Sequence, residues 1–357
     1  MTILLNNPQV EALLSMPECI AILEDAYVEL AAGRGITRRR SDSLTPTGRA
    51  DAVYGLKTMD GVAPKFGVAA VRINSDIVTW PDTGTGRRRV KVPAAPNGRF
   101  VGLVLLFSTE TSEPLAILPD GVLQRMRVGA TNGLAAKYLA RADARSVGLI
   151  GSGWQAGAQL MAIKAVRPIE KVRCYSPNAE RRAAFCKEMG ERLGIEVTPV
   201  SSPEAAIGDC DVAMCATSAI EHVFFERWVA PGLHVSSIKR PEIEPAAIRR
   251  ADRLFIHTHD ATPQHVTTRG LPVAETTKGM GWKLADEIDF ASLDTLPDLV
   301  AGTVDGRQND DQVTCFINNL GLGYQFAAVG SLVHRKAREQ GVGRDMPTDW
   351  FTEDVHP

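Results

Sequence analysis

Residues 147–157 read VGLIGSGWQAG: an apolar run, two glycines one residue apart, then a helical pattern. Gly151 permits a tight turn and Gly153 lets the backbone approach a pyrophosphate. Ala156 stands where the fingerprint G-x-G-x-x-G/A tolerates a small third residue. Trp154 and Gln155 open the helix, whose N-terminus offers unpaired N–H groups and a partial positive charge to an anion. A structural turn at any strand-helix junction looks similar. Here strand, turn and helix follow in the required order inside a βαβ unit, which predicts a dinucleotide site and a parallel sheet.

The surrounding chain extends that pattern. After Gly121 a helix carrying LQRMRVGATNGLAAKYLARA is followed by strand SVGLI, helix WQAGAQLMAIKAV, strand KVRCY, helix NAERRAAFCKEMGERL and strands EVTPV, DVAMCAT, HVSSI and RLFIH. Such alternation predicts an α/β fold with a Rossmann-type, doubly wound parallel sheet over residues 122–315. Upstream, residues 1–33 read as one amphipathic helix, with Ile20, Leu23, Tyr27 and Leu30 on its apolar face. From 52 to 118 the runs AVYGLK, GVAAVRI, FVGLVLLF and PLAIL predict a mostly antiparallel sheet, interrupted at 79–98 by a Gly/Pro-rich basic stretch that reads as an exposed loop or hairpin extension. The last segment, INNLGLGYQFAAVGSLVHRKAREQG, reads as a helix returning to the first domain.

A chain of 357 residues with 44% hydrophobic side chains has material for about two domains. Its 40 Lys and Arg nearly balance 42 Asp and Glu, which argues against nucleic acid or anionic membrane as whole-surface partners and for small molecules. No uncharged apolar run reaches the roughly 18 residues of a membrane span. Six scattered cysteines and a start without signal-peptide layout fit a reducing cytoplasm.

The second strand decides between the two nicotinamide dinucleotides. An NAD site usually places a carboxylate there, about 20 residues past the glycines, to accept from the ribose 2′-OH. This chain has Cys174-Tyr175-Ser176-Pro177-Asn178, with Arg173, Arg181 and Arg182 nearby. The three arginines are close enough in sequence to meet a 2′-phosphate, so NADP(H) is favoured and NAD(H) remains open, with Ser176 and Arg181 as candidate cofactor contacts; the arginines read equally as a solvated helix face. Thr217, after strand VAMCA, is expected at the nicotinamide ribose unless it is a plain strand terminus. Ile238 ends another strand beside the same crevice.

The ordered set GRFVGLVLLFSTETSEPLAIL, RMRVGATNGLAAKYLA, GSGWQA and GRQNDDQVTCFINNLGLGYQ resembles the ornithine cyclodeaminase/μ-crystallin family, over about residues 40–335. The resemblance implies an α+β substrate-binding and dimerisation domain made from both chain ends, 1–121 completed by 316–357, around the Rossmann domain, and a homodimer formed through the substrate domains. It implies an amino or imino acid held beside the nicotinamide by basic residues. Arg127 matches the family arginine that contacts substrate and cofactor; Arg72 stands where members commonly carry lysine; Arg40 is similar to a further carboxylate-binding arginine. A guanidinium grips a carboxylate bidentately and so fixes the α-carbon. The competing readings are a helix-surface charge for Arg127 and a solvated basic triplet for Arg40. An unpaired Arg72 on an apolar strand would be expensive.

One departure redirects the chemistry. Family cyclodeaminases carry an aspartate in a G-x-D-x-P-G-K-x-E-L-like loop, whereas LHVSSIKRPEIEPAAI has none; Glu242 matches only the closing glutamate. The base for amine elimination is missing from its expected place. The expectation is therefore an NAD(P)H-dependent oxidoreductase at the C–N bond of a small α-imino or α-amino acid, a ketimine reductase or amino acid dehydrogenase. A cyclodeaminase-type ammonia lyase and a non-catalytic μ-crystallin-like carrier are the alternatives. Lys57, which falls where the family places a polar residue facing the pocket, and Lys239, at a strand's carboxyl end, are candidate proton donors; exposure is the plain alternative for both.

Other signals are weaker. His257, His259 and His265 lack an accompanying Cys or carboxylate cluster, so no metal is expected. Asp310-Asp311 reads as a helix cap, the basic triplets 38–40 and 87–89 lack interleaved aromatics, and Cys215 has no neighbouring base.

Overall fold

The structure, a computed structural model, describes residues 1–81, 90–219, 221–259, 262–271 and 288–354. The triplet 87–89 and most of the basic stretch around it lie outside these residues. Two sheets organise the described chain. The strands are β1 (Thr2–Leu4), β2 (Ile36–Thr37), β3 (Ser41–Pro46), β4 (Ala52–Ala63), β5 (Val68–Thr79), β6 (Val90–Val92), β7 (Val101–Ser108) and β8 (Pro114–Pro119). Then come β9 (Ser146–Ile150), β10 (Lys171–Tyr175), β11 (Glu196–Pro199), β12 (Val212–Cys215), β13 (His234–Ser237), β14 (Arg253–Ile256), β15 (Gln264–Thr267), β16 (Asp294–Thr295), β17 (Thr314–Ile317) and β18 (Arg344–Met346).

The first sheet runs β15-β3-β4-β5-β7-β8-β1-β18. Its centre is antiparallel, as the alternation predicts, while β1 and β15 join in parallel. The second sheet, β11-β10-β9-β12-β13-β17-β14-β16, is parallel at every pairing. Its helices α4 (Trp154–Val166) and α5 (Ala179–Leu193) lie where the 3.6-residue pattern puts them. Chain order reverses beside β9, which sits between β10 and β12, so the crevice at the carboxyl ends of these strands is a topological switch point.

Several elements differ from expectation. Residues 1–33 are β1 and two helices, α1 (Asn7–Leu13) and α2 (Met16–Ala31), rather than one helix. The break is a capping box in which Ser15 accepts from the Glu18 backbone N–H and Glu18 reaches back to Ser15. The 79–98 stretch, open in sequence between an exposed loop and a hairpin extension, is an extension at its described end: β6 pairs antiparallel with Ile77–Thr79 of β5. Asp310-Asp311 caps no helix, because the segment that follows is β17. The second sheet ends at Ile317, and the returning helix starts only at Gly323 and runs to Gln340. The strand β15, between β14 and β16 in the chain, crosses to pair with β3.

Helix α3 (Asp120–Leu139) lies between the two sheets and is buried along most of its length. Small residues make that possible: Ala158 of α4 lies so close that a Cβ at Gly129 would come within 2.7 Å of its carbonyl oxygen. The C-terminal helix covers one face of β4 and β5. Alternate residues of β5 on that face change from Val68 and Ala70 to Arg72, Asn74 and Asp76, so the covered face becomes charged along the strand.

Two histidines tie this core to pH. His234 and His257 are fully buried, and burial pushes both down to about 3. The unfolded chain protonates them near 6.5, so their contribution to stability is complete above that pH and is lost as pH falls toward 3. At pH 5 each costs about 2 kcal/mol. Urea midpoints should therefore drop between pH 7 and pH 5; equal midpoints would show that neither histidine is held neutral.

Candidate active site

The switch-point crevice is a cleft of about 910 Å3, lined among others by Gly151, Trp154, Ser176, Arg181, Thr217 and Ile238. Gly151 takes φ 118°, and a Cβ there would meet the Ala216 carbonyl oxygen at 2.2 Å, so only glycine turns the chain here. At Gly153 a Cβ direction meets nothing within 4 Å, which leaves the helix N-terminus open to an incoming phosphate. Gln155 also lines the cleft. Ala156 is completely buried in the core behind the turn and does not line it. Trp154, 57% exposed, stacks with the Arg125 guanidinium 4.0 Å from its ring centre. At the tip of β10, Arg181 lines the cleft, whereas Arg182 donates to the Ser176 carbonyl and lies over Tyr175.

Glu242 braces the side of the cleft that Thr217 and Ile238 line. It is fully buried and accepts from Thr217 N (2.6 Å), Thr217 Oγ1 (2.8 Å) and Ile238 N (3.0 Å), joining the loops after β12 and β13. Burial raises this carboxyl above its ordinary range despite Lys239 and these donors.

A second cavity of about 170 Å3 adjoins the first, since Gln155 and Ile238 line both. Arg40, Arg127, Lys239 and Arg240 line it, and no carboxylate does among the described residues. Arg40 is gripped bidentately by buried Asp42 at 2.7 and 2.6 Å. Lys239 donates to the Ala219 carbonyl. Arg72 and Lys57 do not line this cavity. Arg72 pairs with Asp120 at 2.5 Å, and Lys57 forms an ion pair with Asp76, which also meets Lys91 at 2.8 Å. Burial pushes Asp76 up, but the two lysines outweigh it and hold the carboxyl low.

Arg127 is buried and its hydrogen-bonded neighbour is neutral. Its Nη1 donates to Gln325 Oε1 at 3.0 Å, and its guanidinium lies 5.1 Å from the Phe326 ring centre. The protons assign themselves around Gln325. Its Oε1 also accepts from Leu322 N (2.9 Å), so its Nε2 must donate, to Tyr27 Oη (2.9 Å) and Thr131 Oγ1 (2.7 Å). Thr131 spends its proton on the Arg127 carbonyl. His257 Nδ1 faces the Leu320 carbonyl and so carries the proton, which leaves Nε2 to accept from Tyr27 at 2.8 Å. Burial, and then Arg72, press the Arg127 guanidinium down toward deprotonation. An arginine keeps its proton, so Arg127 is a buried cation.

The family model for the ornithine cyclodeaminase/mu-crystallin family matches residues 93–341. This chain belongs to that family. It is 32% identical over 250 residues to a Delta(1)-pyrroline-2-carboxylate reductase of Bacillus cereus, covering 69% of this chain and 74% of the relative. The Thermococcus litoralis Delta(1)-pyrroline-2-carboxylate reductase, solved with NADH and L-proline, superposes with a TM-score of 0.78 at 28% identity, over 97% of this chain and 100% of that one. An archaeal alanine dehydrogenase dimer with bound NAD gives 0.75 at 25% identity, over 97% and 99%. Within this family site, sequence reasoning missed Gln325, Asn318 and Gly321. Their shared neighbourhood with Arg127 arises from chain segments about 200 residues apart.

Proposed function

We propose that this chain is a nicotinamide-dependent reductase of small α-imino acids, working between imine and amine at a Cα–N bond. The observation that carries the reading is the continuity of a dinucleotide cleft with a small cationic cavity, lined by no carboxylate among the described residues, through Gln155 and Ile238. The relatives' named activities, pyrroline-2-carboxylate reduction and alanine dehydrogenation, are of this kind.

Gly151, Gly153 and the open N-terminus of α4 fit a pyrophosphate, and Thr217 and Ile238, locked by Glu242, fit the nicotinamide end. A nicotinamide held there would supply a hydride to the imine carbon. Arg127 holds the substrate carboxylate and thereby fixes the α-carbon against that face. Arg40, oriented by Asp42, supports the same carboxylate. Lys239, which lines the cavity, is better placed than Lys57 to exchange a proton with the substrate nitrogen. The lining holds no carboxylate among the described residues to serve as the base a cyclodeaminase needs.

Two finer readings go with this one. Without a carboxylate at the tip of β10, and with Arg181 lining the cleft beside Ser176, the site is read as accepting NADP(H). The outer face of the first sheet exposes Leu4, Leu56, Val101 and Leu103, an apolar patch that a second copy would cover, which supports a homodimer. Five buried thiols and a sixth partly covered, none in a disulfide, fit a reducing cytoplasm.

The test mixes protein, NADPH or NADH, and cyclic imines or 2-oxo acids with ammonia, following the reduced-nicotinamide absorbance. Consumption is expected, faster with NADPH, and Arg181→Glu should move preference toward NADH by about tenfold. Proline and ammonia from ornithine, with no net nicotinamide consumption, would instead assign a lyase.

A further inference from the structure

Resting on the reductase reading, the cationic cavity contains more positive charge than one substrate carboxylate uses. Arg127 and Arg40 account for the α-carboxylate. Arg240 lines the same cavity but not the dinucleotide cleft, so the cofactor's phosphates do not explain it. Its guanidinium stacks on Phe290, 4.4 Å from the ring centre, and among the described residues it has neither a carboxylate partner nor a hydrogen bond. Its Nε is buried without an acceptor, and burial presses the group downward from its ordinary value. A stacked guanidinium is immobilised in plane, so little freedom is lost when an anion docks against its edge. Leaving such a charge half-desolvated and unpaired is costly unless a ligand completes it.

We propose that Arg240 is a specificity residue that receives a second carboxylate, so that the substrate class is the imino dicarboxylic acids, formed from four- and five-carbon 2-oxo dicarboxylic acids and an amine. The cavity of about 170 Å3 restricts these to short chains. One carboxylate meets Arg127 and the other meets Arg240, which stretches the substrate across the cavity with its imine carbon beside Ile238.

The experiment has a binding arm and a turnover arm. In the binding arm, native protein with NADP+ is melted with succinate or with butyrate, equal in chain length and different by one carboxylate. Succinate should stabilise and butyrate should not; Arg240→Gln should abolish the difference and Arg240→Lys should restore part of it. Equal stabilisation by both acids, or a succinate preference that survives Arg240→Gln, overturns the proposal. In the turnover arm, ammonia with 2-oxoglutarate or oxaloacetate is compared with 2-oxopentanoate or 2-oxobutyrate. The native kcat/KM should favour the dicarboxylates by about tenfold or more, and Arg240→Gln should erase that ratio through KM. Turnover of monocarboxylates alone overturns the proposal and leaves the reductase reading standing. No turnover of any acid, with the Arg240-dependent succinate shift intact, overturns the reductase reading while the dicarboxylate site stands.

Discussion

Arg127→Leu is expected to lower kcat/KM for imino acid reduction by about a thousandfold without lowering stability. Removing one partner of a buried charge contact costs roughly 2–5 kcal/mol of binding, or about 30- to several thousandfold in rate terms. The upper part applies here because Arg127 sits at 5% exposure with a neutral amide as its hydrogen-bonded side-chain neighbour, so a substrate carboxylate would be the first carboxylate to bond the guanidinium, since none does so among the described residues. Stability should move the other way. The folded chain pays to bury this charge, and leucine removes that cost while Gln325 Oε1 keeps its bond to Leu322 N. A melting temperature equal to or above native, with intact dinucleotide binding and lost turnover, is the expected combination. Full activity in this variant would remove Arg127 from the substrate grip.

How far the sequence announces this site depends on the range of the interaction. The dinucleotide turn is legible because its requirements are local: a strand, two glycines and a helix start within 11 residues. The parallel sheet follows for the same reason, since each strand and helix carries its own period. Arg72 is legible only halfway. A charge on an apolar strand demands a partner, but the partner is Asp120, 48 residues on, and periodicity names no partner. The break between α1 and α2 is local, visible as Ser15-Met16-Pro17-Glu18, yet an amphipathic stripe of the same hand on both sides disguises it. The strand β15 escapes because a four-residue run between two parallel strands belongs by proximity in sequence to the second sheet and by hydrogen bonding to the first. Gln325 looks like any polar residue of a helix; what singles it out is the convergence of Tyr27 from α2 with Arg127 and Thr131 from α3, segments that meet it only when folded.

Gly321→Ala tests that convergence from the opposite side, leaving every charged group in place. A Cβ at residue 321 would stand 1.8 Å from Arg127 Nη1 and 2.5 Å from Cζ, so the guanidinium must move by more than an ångström. Gly321 does not occupy a positive φ, so alanine fits its backbone. The displaced atoms are the far end of a flexible side chain, and alanine also restricts the unfolded chain, worth about 0.4–1 kcal/mol in its favour. Stability is thus expected to change little, while misplacing a positioning group by about 1 Å costs on the order of a hundredfold in rate. The combination with Arg127→Leu separates this cause from a general disturbance. If alanine acts only by moving the guanidinium, adding it to Arg127→Leu lowers kcat/KM no further, and the two effects are fully non-additive. Independent losses in the double variant would mean that residue 321 shapes the cavity by some route other than Arg127.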